Sequence, residues 1–376
     1  MPVYLDCNAT TPLDPAVQQQ MLLYLQEELG NAGSRTHEFG QRAKQAVERA
    51  RHEVAAVVGA ESSEVIFTSG ATESNNLAIL GLLAYGETTG RRHLVSTQVE
   101  HKAVLEPLEE CSRRGFEVTL VPPTAGGWID PAAIREAVRE DTLLVSVMHV
   151  NNETGVRKPL PEIAEVLADH PTFLHVDAAQ GFGKDLLTLQ NLRLDLISVS
   201  GHKIYGPKGI GALIARRRGF ERPPLRPLIF GGGQERGLRP GTHPVPLIVG
   251  LGCAAAMSRE HSEARRQACA AYRQQVLQAL EPLGVEVNGH PERSLPHVLN
   301  LVFQDIDSEA LMLALKPLIA ISNGSACTSA SYEPSHVLKA MGYADDRISS
   351  SVRISWYHGT DGPDWEEVAS VIAGLR

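Results

Sequence analysis

The stretch SVSGHKIYGPKG, residues 198–209, places Lys203 where an apolar run opens into a glycine-containing turn. A lysine kept for solubility belongs on a solvated face. A lysine used as a nucleophile or proton carrier belongs where burial and polar neighbours perturb its amine. Upstream, Asp177 closes the apolar run TFLHVD, and Gln180 follows three residues on. A buried carboxylate there needs a partner; a salt bridge or a helix cap would serve, and so would a protonated ring nitrogen. The third piece is SGAT, residues 69–72, just ahead of a helical stretch. Gly70 lets the backbone approach a ligand. The amides of that turn, Ala71 among them, and the Thr72 hydroxyl form an anion site at the positive end of the helix, suited to a phosphate. The same residues also read as an ordinary threonine-capped helix. Each piece alone has a plain structural reading. Together, a phosphate cradle, an aspartate for a ring nitrogen and a lysine at a strand end point to pyridoxal 5'-phosphate bound covalently through Lys203, with Ser200 and His202 adding donors to the phosphate.

Such a site needs a scaffold that gathers distant stretches at one edge. The runs SEVIFTS, HLVST, FEVTLVP, TLLVSVMHV, TFLHVD and LDLISVS read as short strands, separated mostly by helical stretches such as ESNNLAILGLLAY and KAVLEPLEECSRR. DPAVQQQMLLYLQEEL opens a helix with Asp14 as cap and Pro15 at its first position. This rhythm predicts an α/β fold with a mostly parallel sheet sandwiched by helices. Ligands of such sheets sit beyond the carboxyl ends of the strands, and polar clusters follow the runs at those ends: TSGATESN, VEHKAV, HVNNETG, HVDAAQ and SVSGHK. After about residue 245 a long helical stretch takes over, followed by fewer strands (HVLNLVF, SSVRISW) and helices (SEALMLAL, PDWEEVASVIAGL). The division expected is a large domain, 14–258, and a smaller α+β domain formed by 1–13 and 259–376.

The bulk composition narrows the classes. The chain has 376 residues and a net charge of -9, which argues against a sequence-independent grip on nucleic acid. Its start, MPVYLDCNATTP, lacks the basic and apolar regions of a signal peptide, and no run approaches a membrane span, so a cytoplasmic protein is expected. The five cysteines form no C-x-x-C pair and are odd in number; neither a zinc site nor a disulfide framework is expected, and no metal. Cys111, Cys253 and Cys269 read as small buried hydrophobes. GPKGIG is neither a dinucleotide fingerprint nor a Walker A loop, and HEVAA lacks the second histidine of a zincin.

Ordered along nearly the whole chain are ATTPLDP, FTSGATESNN, EHKAV, NNETGV, HVDAAQ, SGHKIYGPKG, GGGQERGLRPGT, NGSACTSAS and VRIS. In these motifs the chain resembles the NifS/IscS cysteine desulfurases, pyridoxal-phosphate enzymes of fold type I. The resemblance implies that Lys203 carries the cofactor and Asp177 pairs with its ring nitrogen. It implies further that His101 stacks on the ring and assists proton transfer, and that Gln180 bonds the ring hydroxyl. Thr72, Ser200 and His202 would hold the phosphate, joined by Thr242 from the partner subunit of a homodimer. Asn152 and Arg353 would hold the carboxylate of L-cysteine, the arginine through a bidentate fork. On the residues alone, SSVRISW is a half-buried strand interrupted by an arginine that also reads as a surface ion pair.

SNGSACTSAS, within the expected loop 322–332, contains no side chain larger than asparagine, so its cysteine has little to hide it. Cys327 resembles the family's persulfide-forming residue, in the branch with this small-residue loop rather than the one with RxGxHC. The implied reaction removes sulfur from L-cysteine, releases L-alanine and leaves a persulfide on Cys327 for a sulfur-acceptor protein. Cys7, in LDCNATTP, stands where relatives usually carry another residue, and reads as a bystander near the site. The chain also ends at EEVASVIAGLR, where housekeeping relatives continue; this favours a dedicated acceptor, as in DNA phosphorothioation or tRNA thiolation, over general iron–sulfur supply. A selenocysteine lyase or another fold-type-I lyase would share Lys203 and Asp177 without needing Cys327 for every substrate. A non-catalytic sulfur carrier or scaffold would keep the fold with an idle site.

Overall fold

Alternation inside the apolar runs decides the architecture. A computed structural model describes residues 1–324 and 334–376. The first strand, β1 (Val3–Tyr4), pairs far along the chain. The next seven build one sheet: β2 (Val65–Thr68), β3 (His93–Thr97), β4 (Glu117–Val121), β5 (Thr142–Met148), β6 (Phe173–Asp177), β7 (Leu196–Ser200) and β8 (Gly211–Ala215). Their spatial order is β2-β8-β7-β6-β5-β3-β4. Successive residues point to opposite faces, and both faces are covered. Val65, Phe67, Val145, Val147, Leu174 and Val176 join one apolar core with the helices Glu38–Val58 and Val245–Leu280. Ile66, Leu144, Phe173 and Leu213 join another with the helices Ala71–Leu80 and Lys102–Arg113. Burial on both faces is why these strands read as continuous apolar runs.

The pairs β7–β6, β6–β5, β5–β3 and β3–β4 are parallel. β8, which the sequence reading does not single out, runs antiparallel to both its neighbours, β7 and β2. That reversal restores β2 to the direction of the parallel set. The carboxyl ends of β2, β3, β5, β6 and β7 therefore open on one edge. ESNNLAILGLLAY, expected as one helix, is broken between Leu80 and Leu83. The carbonyl of Gly81 is taken by Arg226 N at 2.8 Å, and a side chain at Gly81 would collide with backbone oxygens.

The helix Val245–Leu280 spans two cores. Ile248, Leu251 and Ala254 pack under the large sheet, whereas Cys269, Tyr272, Val276 and Leu280 belong to a separate cluster. That second cluster covers one face of a three-stranded antiparallel sheet, ordered β12-β10-β9, with β9 (Glu286–Val287), β10 (Val298–Val302) and β12 (Ser351–Ser355). β11 (Ile319–Ala320) pairs in parallel with β1. Leu299, Leu301, Val352 and Ile354 point into the second core. Asn300 and Arg353, paired in register, point the other way, and Arg353 donates to the Asn152 carbonyl beyond β5. The strand is thus not half-buried as expected: every residue of β12 is buried, Arg353 to 1 % exposure. Cys111 and Cys269 are buried; Cys253 instead lies partly exposed on the long helix. No helix among the described residues is long and apolar enough to cross a membrane.

Candidate active site

The edge where the five strand ends meet holds a cavity of about 600 Å³, within the usual range for a small-molecule site. Gly70, Ala71, Thr72, His101, Asn152, Asp177, Gln180, Ser200, His202, Lys203 and Arg353 all line it. So does Asn8, to which the sequence reading assigns no role.

Lys203 lies in a short 3-10 turn directly after β7. Its Nζ donates to the carbonyls of Asn8, at 2.5 Å, and Ala9, at 2.8 Å. The same amino-terminal segment braces the turn: Thr11 N donates to the His202 carbonyl at 3.0 Å, and Tyr205 N donates to Thr11 Oγ1 at 2.9 Å. Tyr205 adopts φ 67°, a left-handed conformation that a bulky residue keeps only when its surroundings enforce it.

Asp177 ends β6 at 5 % exposure. Asn75 Nδ2 donates to its Oδ2 at 2.8 Å, and Ala179 N donates to its Oδ1 at 3.0 Å. Among the described residues no salt bridge reaches it, so the carboxylate keeps acceptor capacity for a protonated ring nitrogen. Asn75 is a second residue missed from sequence; its place one helical turn inside Ala71–Leu80 was the available signal. Gln180 Nε2 donates to the Asn8 carbonyl at 2.9 Å. His101 caps the helix Lys102–Arg113, its Nδ1 accepting from Ala103 N at 3.0 Å. Burial lowers its pKa, against the pull of Asp177, so the ring is neutral at pH 7 with its proton on Nε2. Beside it, Glu100 joins two strand ends by accepting from Thr97 Oγ1 at 2.6 Å and Met148 N at 2.9 Å; burial pushes this carboxyl up to about 8.

At the other end of the cavity Gly70 precedes the helix Ala71–Leu80 with φ 156°, a conformation favouring glycine. The backbone is close-packed here, since a Cβ on Gly211 would lie 2.6 Å from Gly70 Cα. Burial holds His202 down to about 4, so it is neutral, and its Nδ1 lies 3.3 Å from Thr10 Oγ1. Glu73 accepts from Ser69 N at 2.6 Å and from Arg239 Nε at 3.0 Å. Amides at a helix start, two hydroxyls and a neutral imidazole suit a phosphate group. Three side-chain oxygens of cavity-lining residues, Asn8 Oδ1, Asn75 Oδ1 and Gln180 Oε1, are buried without a partner. Such groups are uncommon in folded proteins, and their concentration here fits a polar ring bound among them.

Arg353 donates from Nη2 to Asp6 Oδ1 at 2.6 Å and from Nη1 to the Asn152 carbonyl at 3.0 Å, while its Nε is buried without a partner. Thr242 is exposed and does not line this chain's cavity. Its neighbour His243 bonds Glu235, which Arg51 grips in turn. Cys327 lies outside the described residues. Cys7 is buried, and burial pushes its thiol up to about 12, which leaves it protonated at neutral pH.

Comparison with known proteins agrees with this geometry. The family model for aminotransferase class-V matches residues 3–368. The cysteine desulfurase IscS of Methylococcus capsulatus is 47% identical over 373 residues, 99% of this chain and 92% of the relative. The crystal structure of DndA from Streptomyces lividans superposes with a TM-score of 0.83 at 52% identity, covering 94% of this chain and 99% of that one. SspA, solved in complex with cysteine, superposes with a TM-score of 0.82 at 37% identity, covering 94% of this chain and 98% of that one. The chain belongs to the aminotransferase class-V family and, within it, to the cysteine desulfurases.

Proposed function

We propose that the protein removes sulfur from L-cysteine with pyridoxal 5'-phosphate held through Lys203, releases L-alanine, and passes the sulfur from Cys327 to an acceptor protein. The observation that carries this reading is the convergence of Lys203, Asp177, His101, the 69–72 turn and Arg353 on one cavity. Bound there, the cofactor supplies a sink for the electrons left at the substrate Cα. Asp177 would keep the ring nitrogen protonated, and Gln180 would bond the ring hydroxyl. Lys203 moves the proton at Cα. Neutral His101, with Nδ1 bonded to Ala103 N and its proton on Nε2, would donate that proton first and take one back at the same nitrogen. Arg353 and Asn152 hold the substrate carboxylate. The Cys327 thiolate attacks the substrate sulfur: an S–S bond forms, the C–S bond breaks, and the carbon keeps the electron pair and is protonated to give alanine.

The reading includes a homodimer in which Thr242 of each chain completes the other's phosphate site, and a division of labour between a large part, 14–258, and a smaller part, 1–13 with 259–376. The exposure of Thr242 on its own chain is consistent with that exchange. The test is to incubate the protein with L-cysteine and quantify alanine, sulfide and protein-bound sulfur. Equal alanine and transferred sulfur are expected. The Cys327→Ser variant should stay coloured, respond spectrally to L-cysteine and carry no persulfide; undiminished alanine release by that variant would overturn the role of Cys327.

A further inference from the structure

The amino-terminal segment is built into the site in a way that neither the motifs nor the fold requires. Residues 5–8 run beside β12: Ser355 N donates to the Leu5 carbonyl at 2.8 Å, Cys7 N donates to the Ser355 carbonyl at 3.0 Å, and Asn8 N donates to Ser355 Oγ at 2.9 Å. Two side chains of this segment then reach the cavity wall. Asp6 Oδ1 accepts from Arg353 Nη2 at 2.6 Å, and Asn8 Nδ2 donates to the Asn152 carbonyl at 3.0 Å, the same carbonyl that takes Arg353 Nη1. Arg353 is therefore pinned on both terminal nitrogens by groups of its own chain.

A guanidinium has five N–H groups in a rigid plane. Two are used here, by Asp6 and by the Asn152 carbonyl, and the second N–H of each terminal nitrogen remains for an incoming carboxylate, while Nε is buried. We infer that Asp6 is a positioning residue for the substrate carboxylate: by holding Nη2 it sets the plane in which Arg353 presents its remaining donors to the cavity. This rests on the reading of Arg353 as the carboxylate-binding arginine. Asp6 does not touch the substrate. A free guanidinium at the end of three methylenes would lose rotamer freedom on binding, and Asp6 supplies that order in advance. Its charge also balances an arginine that is almost fully buried. An opposing effect exists: a fixed carboxylate repels an incoming one. The short, charge-assisted bond and the free donors on the same plane favour positioning over competition.

The experiment uses cofactor-loaded full-length protein and compares L-cysteine with its methyl ester, which lacks the carboxylate charge. Wild-type turnover of L-cysteine is measured first, and its absence would sink the proposed function rather than this inference. Asp6→Ala should raise KM for L-cysteine roughly 10- to 100-fold, leave kcat nearly unchanged, and shrink the preference for acid over ester by the same factor. Cofactor absorbance should match wild type. Asp6→Asn keeps the shape and one acceptor, so its KM should rise roughly 3- to 10-fold; if the alanine variant does not fold, this one decides alone. An unchanged KM, a KM that rises equally for acid and ester, or a KM that falls because Asp6 only competes with substrate would each overturn the assignment.

Discussion

Two buried arginines, Arg51 and Arg353, do opposite things with the same group. Arg51, at 4 % exposure, is nearly saturated. Nη1 bonds the Val65 carbonyl at 2.9 Å and Glu235 Oε2 at 2.7 Å, Nη2 bonds Glu235 Oε1 at 2.7 Å, and Nε bonds Glu48 at 3.2 Å. Glu235 in turn accepts from Phe67 N at 2.7 Å and bonds His243, so a loop is tied to β2 and to a helix. Arg353 is buried more deeply but makes two such bonds and keeps Nε without a partner. Arg51 serves architecture with almost every donor filled, because an empty buried donor costs stability. Arg353 lines the cavity and has only one bond on each terminal nitrogen, which leaves N–H groups there for a ligand.

The contrast predicts that losses on the cavity side fall on turnover and losses on the Arg51 side fall on stability. The largest expected effect is that of Lys203→Ala, which removes the covalent anchor and a proton carrier. Alanine production from L-cysteine should fall on the order of a thousandfold or more, while the melting temperature of the apoprotein stays close to that of wild type. Next, Arg51→Met leaves Glu235 buried without its main partner and should cost about 3–5 kcal/mol in denaturant unfolding, with KM for L-cysteine unchanged in the folded fraction. Arg353→Lys should do the reverse, raising KM roughly tenfold or more because an ammonium cannot present a fork, with little loss of stability. If the two arginine variants shift the same quantity, the distinction between filled and reserved donors fails.

A pH titration sharpens the same point. Burial pushes the Glu235 carboxyl up, but the bonds from Arg51 and His243 outweigh it and hold the group at about 2. A lowered folded pKa stabilises above the unfolded value of 4.5 and loses that contribution as pH falls toward 2. The contribution is about 3 kcal/mol, and unfolding free energy of Glu235→Gln should be flatter than wild type across that window. The smallest effects belong to the cysteines away from the cavity. Burial raises Cys7 and Cys111 to about 12 and Cys269 to about 11, so none is a thiolate at neutral pH. Cys7→Ser, Cys111→Ser, Cys253→Ser and Cys269→Ser should each keep turnover within about twofold of wild type; mass spectrometry finding substrate-derived sulfur on Cys7 would contradict this.

Much of the cavity was legible because its parts are local. The 69–72 turn, Asp177 and Lys203 each sit where a short apolar run stops, and strand ends on one edge of a sheet must come together. Asn8, Asn75 and Glu73 were not legible as cavity residues. Asn8 acts mostly through its backbone oxygen, which any residue type possesses, and Asn75 reaches Asp177 only because a helix and β6 pack side by side. The strand GALIA is not announced by its residues because glycine and two alanines are weak strand formers, and nothing local shows that it runs antiparallel.

The sequence by itself determined the alternation of strands and helices, the chemical types at the strand ends and the family, since these depend on residue order and short-range periodicity. Only the tertiary structure decided which face of β12 Arg353 occupies, what pins it and which donors it has left. Those depend on Asp6 and Asn152, which lie 347 and 201 residues away along the chain. No local pattern encodes a contact made by packing a second sheet and the amino-terminal segment against the edge of the first.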